Sequence, residues 1–155
     1  MTVTAMLLAL LVSVEAAPQP QAGAGGRVTY VVFVCEDGGD ESLVAAAYFN
    51  KLARERGLAA VASFRGVDPE NHLSMRAVDG LKANGVPIPV KLPGTISQLD
   101  VDEATHIVAI GVTLPAIATE SGKAASWDDV PGDRGYRAMR DAIVRHVLTL
   151  LDPLQ

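Results

Sequence analysis

The stretch between residues 35 and 42 combines the only cysteine of the chain, two glycines, a serine and four acidic residues. A β-branched and aromatic run at residues 28–34 precedes it and predicts a strand buried on both faces. Apolar spacing at residues 43–56 predicts a helix that ends at Gly57. A loop between a strand and a helix directs backbone N–H groups and the helix dipole at one point, which favours an anion there and a nucleophilic thiolate beneath it. We therefore predict an anion cradle formed by Cys35, Glu36, Asp37, Gly38, Gly39, Asp40, Glu41 and Ser42.

The acidic side chains of this loop oppose that chemistry and leave two interpretations open. Asp40 and Glu41 lie at the predicted helix start, where carboxylates cap free N–H groups, so the loop could fill its own cradle in place of phosphate. Alternatively, Asp37, Asp40 and Glu41 could bind a divalent cation, although their spacing is not that of an EF-hand. The carboxylates themselves disfavour a thiolate at Cys35.

The pattern resembles the low-molecular-weight protein tyrosine phosphatases and the arsenate reductases that share their fold. Their signature is a hydrophobic strand, Cys, five residues, Arg, and Ser or Thr; Cys35 and Ser42 match it, but Glu41 stands at the arginine position. Residues 127–131 are similar to the approach to the family's general-acid loop, and the resemblance covers about residues 27–151. It implies a three-layer α/β/α domain with a four-stranded parallel sheet in the order 2-1-3-4. Periodicity by itself predicts only the parallel α/β class.

The resemblance also implies roles for individual residues. Cys35 would be the nucleophile of an active protein. After Pro131 the chain reads Gly-Asp-Arg instead of Asp-Pro, so the general acid would be Asp133 or Asp129. Arg65 follows the second predicted strand and is the basic residue expected near the loop, where it would pair with Glu36 or Glu41 or replace the missing arginine.

The departures from the signature favour a domain with little catalytic power. A planar guanidinium binds two phosphate oxygens at once, whereas Glu41 would repel them. We therefore predict an impaired phosphatase-like domain, a pseudoenzyme that binds or regulates through an unidentified small anion or protein partner. One alternative is a Cys35-dependent phosphatase or arsenate reductase of altered mechanism; a reductase would need an external thiol, because the chain has one cysteine. The other is a cation-binding domain. No cofactor is predicted.

The rest of the chain predicts the elements that position this loop. Strands are expected near residues 59–64, 105–110 and 124–127, and helices at 75–84, after an N-cap at Ser74, and at 136–151. Residues 86–93 contain three prolines, which exclude a central strand. A short helix could begin at residues 95–99, and residues 115–122 are expected to form a loop. Parallel strands bring the predicted Cys35 loop and the loop at 128–135 to one edge of the sheet.

The net charge limits the classes of binding partner, and the N-terminal residues indicate export. The 155 residues carry a formal net charge of −5, which gives no basis for binding nucleic acid or an anionic membrane. An apolar run at residues 5–14, too short to span a bilayer, precedes small-residue sites at 14–16 and 22–24 where a signal peptidase could cleave. We predict a signal peptide and linker at residues 1–24 and the phosphatase-like domain at residues 27–152. The protein would then be exported to the periplasm or secreted, with no membrane association after cleavage.

Overall fold

A computed structural model describes residues 27–155, so the predicted signal peptide at residues 1–24 lies outside the described residues. Four strands form one sheet, in which every neighbouring pair is parallel. The spatial order is β2-β1-β3-β4, which confirms the order that the resemblance implies. The strands are β1 (Thr29–Cys35), β2 (Ala60–Gly66), β3 (His106–Ile110) and β4 (Ala124–Trp127).

Helices connect the strands and cover both faces of the sheet. They are α1 (Glu41–Glu55), α2 (Met75–Ala83), α3 (Gln98–Glu103), α4 (Ala116–Thr119) and α5 (Tyr136–Leu151), followed by a 3-10 turn at Asp152–Leu154. The Ser74 hydroxyl accepts the Ala77 N–H, as an N-cap does, which confirms the predicted start of α2. Helix α3 begins at a capping box formed by Ser97 and Asp100. The expectation of a loop at residues 115–122 is wrong in part, because Pro115 precedes the single turn α4.

Successive side chains of β1 point to opposite faces of the sheet and so contribute to two separate core layers. Val31 and Phe33 face a cluster that includes Phe49 of α1 and Met139 of α5. Val32 and Val34 face the opposite cluster, in which Val101 of α3 and Ala118 of α4 pack. The sheet therefore lies between two helical layers, and β1 is central in both its strand order and its burial.

The carboxyl ends of the strands meet at one edge of the sheet. Cys35 ends β1 and pairs in register with Gly66 at the end of β2, while Trp127 ends β4 opposite Ile110 of β3. Loops at this edge therefore meet, and the Cys35 loop lies near the centre of it. Within residues 27–155, none of the helices has the length and apolar character needed to cross a membrane.

Candidate functional site

The backbone of the Cys35 loop is fixed by the segment that follows β2. Successive loop carbonyls accept hydrogen bonds from the N–H groups of residues 67–74: Val67 to Cys35 at 3.1 Å, Asp68 to Glu36 at 2.9 Å, Glu70 to Asp37 at 3.1 Å and Ser74 to Gly39 at 3.0 Å. The Gly38 carbonyl accepts the Ser42 hydroxyl at 3.0 Å. These bonds hold the shape of the loop through its carbonyls.

Close packing explains the two glycines of the loop. Gly38 has φ of +71°, and a Cβ there would lie 2.7 Å from the Gly66 nitrogen. A Cβ on Gly39 would lie 2.9 Å from the His72 carbonyl oxygen. Backbone atoms cannot move aside as a flexible side chain can, so both positions require the absence of a side chain.

The carboxylate of Asp37 turns back into the loop. Its Oδ1 accepts the N–H of Gly39 at 2.9 Å and lies 3.4 Å from the Cys35 Sγ, which donates its S–H to it. An oxyanion at the base of such a cradle would need the same loop N–H and the same proximity to sulfur. Asp37 thus supplies an internal anion, which supports the interpretation in which the loop fills its own cradle.

Cys35 is held as a protonated thiol. It is 1% exposed, and burial, with smaller contributions from Asp37 and Glu41, raises its pKa to about 12. The Ser42 hydroxyl, 3.1 Å away, would lower the pKa by donating to the sulfur. That hydroxyl has one proton and also donates to Gly38, so it cannot stabilise a thiolate without giving up the loop contact. Burial, not the carboxylates, is the main reason for the raised pKa.

Asp40 does not cap helix α1, so that part of the capping prediction is wrong. Its carboxylate instead binds Arg76, the second residue of α2, through Oδ2. Among the described residues, Asp40 Oδ1 is buried without a hydrogen-bond partner. The side chain is therefore committed to an ion pair between the loop and α2, away from the Cys35 sulfur.

Arg76 is the residue at this site that sequence reasoning missed. Its Nη1 donates to the Gly132 carbonyl at 2.6 Å, and its Nη2 lies 3.6 Å from the Glu41 Oε1 while it binds Asp40. The ion pair with Asp40 raises the pKa of the guanidinium, so Arg76 stays charged. Its position two residues after the predicted N-cap Ser74, in a helix that follows β2, indicates the loop edge of the sheet but not a partner.

Glu41 occupies the arginine position of the resembling family and faces a cleft of about 330 Å³. Burial, together with Asp40 and Asp37, raises the pKa of its carboxyl, which its own backbone N–H and Arg76 partly offset. Its Oε1 lies 2.5 Å from the point that a Cβ on Gly132 would occupy. The cleft is lined by Glu36, Glu41, Ile110, Gly111, Val130, Gly132 and Asp133. Among residues 27–155, three carboxylates and no basic residue line it.

The structure separates the two general-acid candidates. Asp133 lines the cleft next to Glu41, whereas Asp129 binds the Nε2 of His146 at 2.6 Å. His146 in turn stacks on Trp127 with ring centroids 4.7 Å apart. The hydrogen bond to His146 lowers the pKa of Asp129, which opposes a role as proton donor. Of the two, Asp133 alone borders the cleft.

Arg65 is not placed over the loop. Its Nε and Nη2 bind both carboxylate oxygens of Asp100, at 3.0 and 2.6 Å, and its Nη1 donates to the Phe64 carbonyl. The expectation that Arg65 pairs with Glu36 or Glu41 is wrong. The reason is the capping box of α3, which holds Asp100 in position for a two-pronged ion pair.

The predicted cation ligands are only partly brought together. Ligand atoms of Asp37 and Glu41 lie within 4.8 Å of each other and of the Cys35 Sγ, whereas Asp40 is engaged by Arg76. A cation held by this loop would therefore have one sulfur and two carboxylate ligands instead of three carboxylates.

Comparison with known proteins shows what this architecture is similar to. No protein-family model and no curated protein matches the sequence. Among solved structures, YfkJ from Bacillus subtilis is 20% identical, with a TM-score of 0.69 over 85% of this chain and 98% of that one. A low-molecular-weight phosphotyrosine phosphatase from Vibrio cholerae is 18% identical, with a TM-score of 0.67 over 81% of this chain and 95% of that one.

A second kind of neighbour is an arsenate reductase. The thioredoxin-dependent arsenate reductase of Corynebacterium glutamicum is 15% identical, with a TM-score of 0.68 over 85% of this chain and 64% of that one. Likeness at these identities establishes the fold. The architecture described above is therefore the one that low-molecular-weight phosphatases and arsenate reductases share.

Proposed function

Since this chain has the fold of the low-molecular-weight phosphatases, we propose that it is a catalytically impaired relative, with a binding or regulatory role. The single observation that carries this proposal is the Asp37 carboxylate inside the loop, bound to the Gly39 N–H and 3.4 Å from the Cys35 Sγ. A phosphoryl group would have to displace a like charge from the position it needs. We therefore do not expect the loop, with Asp37 in place, to bind a phosphate dianion.

The charges around the loop support the same conclusion. Phosphoryl transfer requires cationic groups that stabilise the equatorial oxygens, and Glu41 replaces the arginine that would supply one. Arg76 does not substitute for it, because its guanidinium is already bound by Asp40 and by the Gly132 carbonyl. A Cys35 pKa of about 12 leaves very little thiolate at neutral pH. The thiolate of Cys35, the arginine that would bind the phosphate oxygens and the space that a phosphoryl group needs are therefore all lacking.

Hydrolysis of p-nitrophenyl phosphate tests this proposal. We expect the purified protein to show no more turnover at pH 5–8 than Cys35→Ser, its matched control with a near-identical shape. Asp133→Asn provides a second comparison, because this residue borders the cleft and is the better-placed acid. Turnover that is lost in both variants would contradict the proposal and favour an enzyme of altered mechanism.

A second candidate function, cation binding, is favoured by the convergence of Cys35, Asp37 and Glu41 within 4.8 Å. One thiolate and two carboxylates with an open position suit Zn²⁺ better than Mg²⁺, because magnesium prefers oxygen ligands alone. The nearby Arg76 opposes it by competing for Glu41. Calorimetric titration with Zn²⁺ tests this function: it requires binding that is lost in Cys35→Ser and Asp37→Asn but kept in Glu36→Gln, which changes an exposed acid of the same loop.

We also propose that the protein acts outside the cytoplasm, as the apolar run at residues 5–14 suggests. Expression of the full chain in a bacterial host, followed by fractionation and mass spectrometry, tests this. Cleaved protein beginning near residue 17 or 25 in the periplasm supports export, and full-length protein in the cytoplasm contradicts it.

A further inference from the structure

We propose that Arg76 is a latch that holds the loop at residues 128–135 against the Cys35 loop and so controls access to Cys35. The 128–135 loop borders the approach to the sulfur through Glu41: Gly132 lies against the Glu41 carboxylate, and an oxygen of that carboxylate is within 4.8 Å of the Cys35 Sγ. One side chain, from a third element, is bonded to both loops at once. Its Nη2 binds Asp40 of the Cys35 loop, and its Nη1 binds the Gly132 carbonyl of the other loop at 2.6 Å.

The start and the middle of the 128–135 loop are held by different contacts. Near its start, Asp129 binds His146 of α5 at 2.6 Å, and the imidazole stacks on Trp127 of β4. Farther along, backbone bonds within the loop are local: Gly132 N–H to the Val130 carbonyl at 3.0 Å and Arg134 N–H to the Pro131 carbonyl at 3.3 Å. These local bonds shape the turn without joining it to the rest of the molecule. Arg76 supplies the hydrogen bond from α2 to this part of the loop.

Glu41 lies near the same guanidinium nitrogen that binds Asp40, which makes the latch sensitive to the charge and shape of residue 76. The Glu41 Oε1, 3.6 Å from Arg76, presses against Gly132, and a Cβ there would lie 2.5 Å from that oxygen. Without the Arg76 guanidinium, the buried Asp40 carboxylate and the half-buried Glu41 carboxylate would repel each other next to Gly132. Arg76 therefore both attracts the loop and neutralises the charges that would push it away. Lysine has the charge but not the fork, so it cannot bind Asp40 and Gly132 in the same geometry.

The rate of Cys35 alkylation by iodoacetamide measures release of the latch. In Arg76→Gln we expect the rate to rise roughly 10- to 100-fold, the factor expected when charge-assisted hydrogen bonds closing a site are lost. Arg76→Lys should give a smaller increase. Arg140→Gln is the matched control, because Arg140 binds Asn84 and Asp141 and lies outside both loops. Its alkylation rate should equal that of the parent.

Loss of Arg76 also leaves Asp40 without its partner, so a general loss of stability must be separated from opening of the loop. The double variant Asp40→Asn/Arg76→Gln removes both charges, so that no unpaired carboxylate is left at residue 40. Measurement at several low urea concentrations distinguishes the two processes, because opening of one loop exposes little surface and global unfolding exposes much. We expect fast alkylation in both variants with little dependence on urea. Folded variants that react at the parent's rate, or a faster rate that follows global unfolding in urea, would overturn the proposal.

Discussion

Oxyanion binding should return only when two carboxylates of the Cys35 loop are removed together. Asp37→Ala frees the Gly39 N–H and the space next to the sulfur, and Glu41→Arg replaces a repelling carboxylate by the fork that phosphate prefers. Either change alone leaves one obstacle in place. We therefore expect the double variant to bind phosphate or vanadate, and each single variant to bind weakly.

The distances set the size of the effect. Ligand atoms of Asp37 and Glu41 lie within 4.8 Å of each other, and two unit charges at that separation interact by about 3.5 kcal/mol at an effective dielectric constant of 20. Exchange of Glu41 for Arg changes the charge at this position by two units. For a bound monoanion the Coulomb energy then becomes more favourable by about 7 kcal/mol, before solvent screening and desolvation are subtracted. Glu41 is a fifth exposed, and a new arginine would lie close to Arg76. If less than half of this energy remains, about 3 kcal/mol, the gain in affinity is roughly a hundredfold.

A double-mutant cycle tests this by calorimetric titration with phosphate and vanadate. The proteins compared are the parent, both single variants and the double variant. The expected pattern is strong coupling, because the arginine can act only on a vacated cradle. Glu36→Arg in the Asp37→Ala background is the matched control: it makes the same exchange of charge at an exposed position, and we expect a gain below about tenfold. The reasoning is refuted if Glu41→Arg alone binds as tightly as the double variant, or if the folded double variant binds neither anion.

Three further predictions concern reactivity and stability. Alkylation of Cys35 should be slow at pH 7 and should rise about tenfold per pH unit with no plateau below about pH 11, because only the thiolate reacts and its pKa is near 12; a plateau near pH 8.5 would contradict this. Arg65 lowers the pKa of Asp100, so this pair should stabilise the fold fully above pH 4 and progressively less as the pH falls through the lowered pKa. Asp100→Ala should accordingly cost about 2–4 kcal/mol at pH 7 in urea unfolding, and little difference from the parent at pH 7 would refute the role of the pair. Gly38→Ala should cost about 2–5 kcal/mol by the same assay, against about 1 kcal/mol for Gly57→Ala, which shares a positive φ but has open space around it; equal losses would show that close packing is unimportant.

Local patterns were sufficient to predict the elements and, through the resemblance, the order of the sheet. Uninterrupted apolar runs identify β1 and β3, and the cap at Ser74 identifies α2, because these signals depend on neighbouring residues alone. Helix α4 was missed because a single turn has too little periodicity to distinguish it from a loop.

The partners of charged side chains were harder to predict, because they depend on packing between distant segments. Arg65 was expected at the Cys35 loop on the basis of its position after β2, but residue 100 competes for it with better geometry. Arg76 reaches the loop because residues 72–74, which lead into α2, pack against Gly39. The sequence places Arg76 near this edge but does not identify Asp40 and Gly132 as its partners. The acidic character of the site is evident from the sequence. The contact of the Asp37 carboxylate with the Gly39 N–H is not, because it depends on the three-dimensional shape of the loop.

The hydrogen bonds from residues 67–74 to the carbonyls of the Cys35 loop have a consequence for how such a site can differ in charge. They use main-chain atoms only, so substitutions in the loop that spare its glycines leave these bonds available. Shape and charge are therefore set separately, because these bonds do not depend on whether residue 41 is a glutamate or an arginine. A loop held in this way can differ in ligand preference through its side chains alone, while its backbone keeps the same shape.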